Sequence, residues 1–226
     1  MRGGGAKLPV LAEISGPVSS EARLWSLRRE DFERLAALPR RLEKQRTVLV
    51  TGGDDVAGAA AIALAATACA AGRRTVLLEC DLERPRLAAR LGLSQAPGLH
   101  EYLRREATPQ QILQPLALGG SAAAMAPGPL VCISAGRQAA DSRTLLGLES
   151  FRHMTSKLRS AYDLVVFGGP ALGSDSVSLD AVVEQADAII AGISPARASG
   201  RGRRAVRAAL RHLPAPALGA VVVGEG

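Results

Sequence analysis

The chain has 226 residues, of which 47% are hydrophobic and 3% aromatic, and its formal net charge is +7. This length and hydrophobic content fit one large α/β domain with an N-terminal extension better than two domains. The three cysteines lie in apolar runs without metal-ligand spacing, no signal peptide is expected, and the longest apolar run, about 15 residues, is too short for a membrane span. We therefore expect a cytoplasmic protein with reduced core cysteines.

From the N-terminus onwards, extended apolar segments alternate with helical ones. The predicted strands are residues 8–14, 47–51, 75–80, 130–134, 164–167, 188–193 and 218–223. The predicted helices are residues 21–38, 58–71, 86–91, 99–104, 145–160 and 205–213, with a short helix starting at Pro109 behind a Thr108 cap. Residues 118–128 are rich in Gly, Ala and Ser and predict a mobile loop. Continuous apolar strands between helices predict a three-layer α/β/α sandwich with a mostly parallel central sheet.

The segment TVLVTGGDDVAGAAA, residues 47–61, is the most informative part of the chain. Its strand–loop–helix setting is that of the phosphate-binding motif G-x-x-x-x-G-K-[ST], and Gly53 and Gly58 occupy the two glycine positions. Ala59 and Ala60 follow, where the motif has a lysine for the phosphates and a hydroxyl for Mg²⁺. We expect the shape of a nucleotide site to be retained and its chemistry to be lost. ATP or ADP with Mg²⁺ is the cofactor that such a site would take.

Acidic residues at the carboxyl ends of strands are candidates for a magnesium site. Glu79 and Asp81, in the segment VLLECDLERPRL, share one side of the extended chain, and Asp81 is the predicted metal ligand. The alternative interpretation is two solvated charges at a strand exit. The later segment YDLVVFGGPA has Gly168 where a phosphotransfer site requires a carboxylate, and Asp175 is a distant substitute.

Residues 197–211 form the most basic segment, and no acidic residue occurs between positions 188 and 223. The six arginines are Arg197, Arg201, Arg203, Arg204, Arg207 and Arg211. They indicate either a surface for an anionic partner, such as lipid, nucleic acid or an acidic protein, or a solvated helix face. The lack of interleaved aromatic residues argues against single-stranded nucleic acid.

Six segments in the expected order resemble the bacterial tyrosine autokinases of capsule and exopolysaccharide synthesis, within the MinD-like P-loop ATPases. They are LPVLAEI, TVLVTGGDDVAG, VLLECDLERPRL, GLSQAPGLHEYLRREATPQQIL, ISAGRQAADSRTLL and YDLVVFGGPA. The resemblance spans residues 8–223 and implies a P-loop NTPase-like domain over residues 47–226 behind an extension over residues 1–46. It also implies MgATP-dependent tyrosine autophosphorylation, self-association into rings and a membrane-embedded polysaccharide co-polymerase as partner.

The sequence departs from this family at its catalytic positions. Besides Ala59, Ala60 and Gly168, the ring-forming helix motif is incomplete around Trp25, and Tyr102 and Tyr162 are the only tyrosines. Three interpretations follow. The first is a catalytically degenerate member that acts by binding, as a regulator or scaffold. The second is an active kinase or ATPase in which arginines such as Arg84 or Arg137 replace the lysine. The third is a module that binds membrane or nucleic acid through residues 197–211.

Overall fold

The computed structural model describes residues 8–15, 18–21, 24–123, 126, 128–173 and 177–224, with backbone alone at 18–21, 24–26, 54–55, 121–122 and 177. The strands are β1 (Val10–Ile14), β2 (Val18–Glu21), β3 (Leu24–Ser26), β4 (Thr47–Gly52), β5 (Thr75–Glu79), β6 (Gln114–Leu118), β7 (Leu130–Ile133), β8 (Leu164–Gly168), β9 (Ala188–Ile193) and β10 (Ala217–Val223). The helices are α1 (Arg29–Leu35), α2 (Leu38–Arg41), α3 (Asp54–Ala70), α4 (Leu87–Leu91), α5 (Leu99–Leu103), α6 (Pro109–Ile112), α7 (Gly120–Ala123), α8 (Ser142–Gly147), α9 (Glu149–Ala161), α10 (Val177–Val183) and α11 (Gly200–Leu210), with a 3₁₀ turn at Pro195–Arg197.

A mostly parallel sheet organises the molecule. Eight strands follow one another in the order β1-β10-β9-β4-β8-β5-β7-β6, and the β3–β2 hairpin continues the sheet beside β6. The pairs β6–β7 and β2–β3 are antiparallel, whereas the other pairs are parallel. This arrangement confirms the predicted three-layer α/β class, because helices cover both faces of the sheet.

Helix α3 lies at the centre of one face and contacts β4, β5, β8 and β9. Its sequence is largely alanine, and nearly every described side chain in it is buried. Such small side chains let the helix approach the sheet while α1, α2 and α7 pack over its outer side. Helices α9, α10 and α11 cover the opposite face with a separate apolar cluster. None of the helices in the described ranges is both long and apolar enough to span a membrane.

The N-terminal region differs most from the prediction. The helix predicted over residues 21–38 is wrong in its first part, because this stretch forms β3 and the end of β2 before α1 begins. Leu24 and Trp25 pair with Ala117 and Leu118 of β6, and this edge pairing overrides the local helical pattern. Pro39 lies in the first turn of α2 instead of ending a helix. The incomplete ring motif therefore does not lie on one helix.

Two later regions also differ. The helix predicted over residues 145–160 is divided at Leu148, whose extended backbone (φ −65°, ψ 148°) separates α8 from α9. Part of the predicted loop at residues 118–128 is helix α7, and the mobility of that loop stays a prediction. The Thr108 cap is confirmed, since the Thr108 N–H and hydroxyl both donate to Gln111 Oε1, at 2.8 and 3.0 Å.

Candidate functional site

The turn between β4 and α3 lies at the carboxyl edge of the parallel strands, where ligands bind in such sheets. Gly53 precedes the helix with an extended backbone (φ −72°, ψ 146°), and α3 begins at Asp54. The Ala57 N–H donates to the Gly53 carbonyl oxygen at 2.9 Å, which closes the first helical turn. The predicted helix start at Gly58 is therefore wrong by four residues. Between the two motif glycines the backbone is helical.

The early start of α3 has a local cause. Two aspartates occupy its first turn, where negative charge is stabilised by the helix dipole, and alanine, the best helix former, dominates after them. In a phosphate-binding loop the backbone N–H groups of this stretch point at the ligand. Here the N–H groups from Ala57 onwards are used within the helix. The side chains of Asp54 and Asp55, predicted to repel a polyphosphate, lie outside the described residues.

Ala59 and Ala60 occupy the positions of the missing lysine and hydroxyl. Their exposed fractions are 3% and 1%, and both belong to the apolar cluster under α3. These two side chains are packing groups that face the core. Their assignment to a cofactor site, like that of Gly53 and Gly58, stays a prediction.

Gly52 of β4 and Gly192 of β9 approach each other closely beside the turn between β4 and α3. A β-carbon on Gly52 would lie 1.9 Å from the Gly192 carbonyl oxygen, and one on Gly192 would lie 2.6 Å from the Ala57 α-carbon. The Gly53 N–H also donates to the Gly192 oxygen at 3.1 Å. Any larger residue at either position would push β4, β9 and α3 apart.

Glu79 ends β5 and is 7% exposed. Its Oε1 accepts the backbone N–H groups of Arg86 and Leu87 at 2.5 and 2.7 Å, and its Oε2 accepts that of Ala135 at 3.0 Å. Burial raises the pKa of this carboxyl, although the three N–H donors act in the opposite direction. The hydrogen bonds of this carboxylate therefore connect the ends of β5 and β7 with the start of α4.

Asp81, the predicted metal ligand, lies two residues further and is partly exposed. Its Oδ1 accepts the Arg84 N–H at 3.1 Å, and its Oδ2 lies 3.5 Å from the Arg84 Nη2. A cation is thus already beside this carboxylate. The assignment of Asp81 to a metal stays a prediction, and no cluster of three or more metal-ligating side chains occurs in the described part of the chain.

Gly168 ends β8 beside Glu79, its register partner in β5. Its carbonyl oxygen accepts the Cys80 N–H at 2.8 Å. A β-carbon on Gly168 would have the Ala61 β-carbon as its nearest neighbour, at 3.8 Å, so the position has room for a side chain. Position 168 therefore lacks the carboxylate that phosphotransfer requires, although it has space for a side chain. Asp175 lies outside the described residues.

A narrow cleft of about 40 Å³ lies between α3, α4 and the ends of β5 and β8. Three arginines (Arg84, Arg86 and Arg90) line it together with Gly58 and Asp81. All three arginines have partners in the protein. The Arg90 Nη1 lies 3.5 Å from where a Gly58 β-carbon would be. Of the two arginines suggested as substitutes for the lysine, Arg84 reaches this cleft.

Arg137, the other suggested substitute, has a different role. Its Nε lies 3.5 Å from Glu101 Oε1, and its own N–H donates to the same oxygen at 3.1 Å. Glu101 is buried and also accepts the Gly98 N–H at 2.8 Å. Arg137 therefore contacts Glu101 of α5.

The residues present do not fit a magnesium triphosphate. A triphosphate needs a cradle of free N–H groups, a nearby cation and at least one carboxylate available to the metal. In the described residues the stretch between the motif glycines is helical, Glu79 already accepts three backbone N–H groups and Asp81 is paired with Arg84.

Sequence reasoning missed Arg86 and Arg90 in the cleft. The signal that could have found them is the segment RPRLAAR after β5, in which Arg86 and Arg90 are four residues apart, with Arg86 directly before α4 and Arg90 in its last turn. The basic segment at residues 197–211 lies away from this cleft, on the 3₁₀ turn and α11.

Structures with this fold include kinase domains and ATPases. The kinase domain of the Escherichia coli tyrosine kinase ETK has a TM-score of 0.78, with 17% identity over 96% of this chain and 91% of that chain. The BceF tyrosine kinase domain has a TM-score of 0.73, with 20% identity over 96% and 93%. MinD from Pyrococcus horikoshii, complexed with Mg-ADP, has a TM-score of 0.57, with 16% identity over 78% and 69%.

The chain therefore has the fold of bacterial tyrosine kinase domains and of MinD-like P-loop ATPases, which the sequence resemblance predicted. In sequence it matches no protein-family model and no curated protein.

Proposed function

We propose that this chain is a catalytically degenerate tyrosine-autokinase-like protein, a pseudokinase that acts by binding. It keeps the kinase-domain fold over almost its whole length and serves as a regulatory or scaffolding partner in capsule or exopolysaccharide synthesis. The kinase domains that it resembles are covered over more than nine-tenths of their length, which supports a preserved overall fold.

One observation carries the proposal: α3 begins at Asp54, directly after the first motif glycine. Opening this stretch into the loop of the motif would require the hydrogen bond from the Ala57 N–H to the Gly53 carbonyl oxygen to break. Removing a single preorganised donor from a site that stabilises developing charge already reduces the rate about 10²–10³-fold. This chain lacks the lysine, the hydroxyl and the strand-end carboxylate together. Turnover of MgATP is therefore not expected.

The proposed partner is a membrane-embedded polysaccharide co-polymerase, at the cytoplasmic face of the membrane. The kinase-domain fold supports this assignment, because the autokinase resemblance implies such a partner. Cross-linking in the native cell, followed by identification of the captured membrane protein, tests it. Capture of a co-polymerase is expected, and capture of membrane proteins unrelated to polysaccharide export would contradict the assignment.

The enzymatic part of the proposal is tested by titrating a fluorescent ATP analogue with Mg²⁺ and measuring hydrolysis and tyrosine phosphorylation on the same preparation. We expect no saturable binding at micromolar protein and no phosphotransfer. Micromolar binding together with measurable hydrolysis would instead establish an active kinase or ATPase with substitute ligands. An Arg84→Gln variant distinguishes that case, because Arg84 is the suggested cation that lines the cleft. Its loss would then abolish the activity.

A further inference from the structure

Helix α11 and the 3₁₀ turn before it carry a concentrated positive charge that the nucleotide cleft does not use. We define the α11 arginine surface by its five members without a charged partner among the described residues: Arg197, Arg201, Arg203, Arg204 and Arg211. Arg203 is half-buried and the other four are exposed. Arg207 of the same helix interacts with other groups of the protein.

The charge of this surface is not compensated within the part of the chain that the structure describes. None of its five arginines forms an ion pair with a described carboxylate. Arginines elsewhere commonly do: Arg74 pairs with Asp163 at 2.9 Å, and Arg159 pairs with Asp187 at 3.0 Å. The five arginines of this surface therefore carry positive charge that no described carboxylate neutralises.

The geometry of α11 presents its arginines together. At about 100° per residue, Arg201, Arg204 and Arg211 lie within an arc of about 80° and span about 15 Å along the helix axis. Val206 and Leu210, on the opposite side of the helix, are 5% and 2% exposed and anchor it to the sheet. These three arginines therefore lie along one outer side of a fixed helix, whereas the half-buried Arg203 lies nearer to Leu210 on its packed side.

The side chains between these arginines are small. Ser199, Gly200, Ala205 and Ala208 are exposed, so no bulky group keeps a flat surface away from the guanidinium groups. Among the described residues, Leu148, on a different part of the molecule, is the large hydrophobic side chain that is exposed. The α11 arginine surface therefore presents positive charge without a large hydrophobic side chain that could insert into a ligand or an aromatic side chain that could stack on a base.

We propose that the α11 arginine surface docks electrostatically on an anionic lipid membrane. A flat array of anionic headgroups can contact Arg201, Arg204 and Arg211 at once, and each basic residue near such a surface adds to the attraction. Single-stranded nucleic acid would require aromatic stacking, which this surface lacks. Duplex DNA is read by helices that project into a groove about 12 Å wide. Helix α11 is packed against the sheet along its inner side and does not project in that way.

The test is co-sedimentation of the full chain with vesicles of phosphatidylcholine containing about 30 mol% phosphatidylglycerol, at about 50 mM salt. We expect binding to these vesicles, none to pure phosphatidylcholine, and a steep loss at about 300 mM salt. The variant Arg201→Gln/Arg204→Gln/Arg211→Gln should bind on the order of a hundredfold more weakly, since each basic residue contributes comparably.

A matched variant, Arg40→Gln/Arg41→Gln/Arg143→Gln, removes the same net charge from exposed positions of α2 and α8. It should bind the anionic vesicles within about threefold of the wild type, because a local surface and not the net charge of the chain is responsible. All substitutions are at exposed residues, and melting curves verify folding. Equal losses in both variants, unchanged binding in the first, or tighter binding to a duplex DNA than to the vesicles would each overturn the proposal. None of these outcomes depends on whether the cleft binds nucleotide.

Discussion

Glu79, at the end of β5, either stabilises the fold through its hydrogen bonds to the backbone or is available as a metal ligand. Its substitution by alanine removes the acceptor of three backbone N–H groups, those of Arg86, Leu87 and Ala135. Each buried donor left without a partner destabilises the fold by about 1–3 kcal/mol. Water reaching the part-buried Arg86 donor, and the loss of a desolvated charge, reduce the sum. We therefore expect Glu79→Ala to lower the free energy of unfolding by about 3–5 kcal/mol.

Urea denaturation with linear extrapolation measures this change. Glu79→Gln retains one acceptor oxygen and should lower the free energy of unfolding by about half as much, whereas Glu106→Ala, at an exposed position, should change it by less than about 0.5 kcal/mol. A loss below about 1 kcal/mol in Glu79→Ala would refute the structural role, because the three donors would not depend on the carboxylate. Glu79 would then be available to a cation.

The same residue predicts a pH dependence. Burial raises the pKa of Glu79 above its ordinary value of 4.5, so the folded state retains this proton where the unfolded state has lost it. Its contribution to stability is complete below pH 4.5 and falls as the pH rises through the folded-state pKa. Glu79→Gln should remove this fall.

Two further substitutions test the backbone beside the site and an ion pair at the opposite end of the sheet. Gly52→Ala should destabilise the protein by more than about 4 kcal/mol in urea, because its β-carbon would meet the Gly192 oxygen. The control Gly72→Ala, at φ +88° with open space around it, should destabilise by about 1–2 kcal/mol, and similar effects of the two would contradict the close approach. Hydrogen bonds from Arg74 lower the pKa of Asp163 from 3.8 to about 2. Stability should therefore fall as the pH drops from 3.8 towards 2, and an Asp163→Asn variant that shows the same fall would contradict this assignment.

The sequence predicted the central sheet well because its strands are continuous apolar runs. The predicted strand at residues 188–193 coincides with Ala188–Ile193, since a strand buried on both faces leaves few alternatives. The hairpin at β2 and β3 was missed because its stability comes from pairing with β6, about 90 residues away, which no local pattern encodes.

The site was harder to predict than the fold. The two motif glycines indicated a loop, but aspartates followed by alanines favour a helix, and the structure follows that local preference. The role of Glu79 depends on an N–H donor at Ala135, 56 positions away, so spacing alone suggested a metal ligand. The residue types at positions 59 and 168, Ala59 and Gly168, are enough to show that the motif lysine and the carboxylate at the end of β8 are absent.

The central claim is that the stretch between Gly53 and Gly58 is helix and cannot cradle phosphate. Calorimetric titration of MgADP into the wild type and into an Ala59→Lys/Ala60→Thr/Gly168→Asp variant, with melting curves to verify that both are folded, tests this most directly. We predict no saturable heat for either protein up to about 1 mM nucleotide, because positions 59 and 60 face the core and the stretch between Gly53 and Gly58 is helical. Micromolar binding by the wild type, or its recovery in the variant, would contradict the claim.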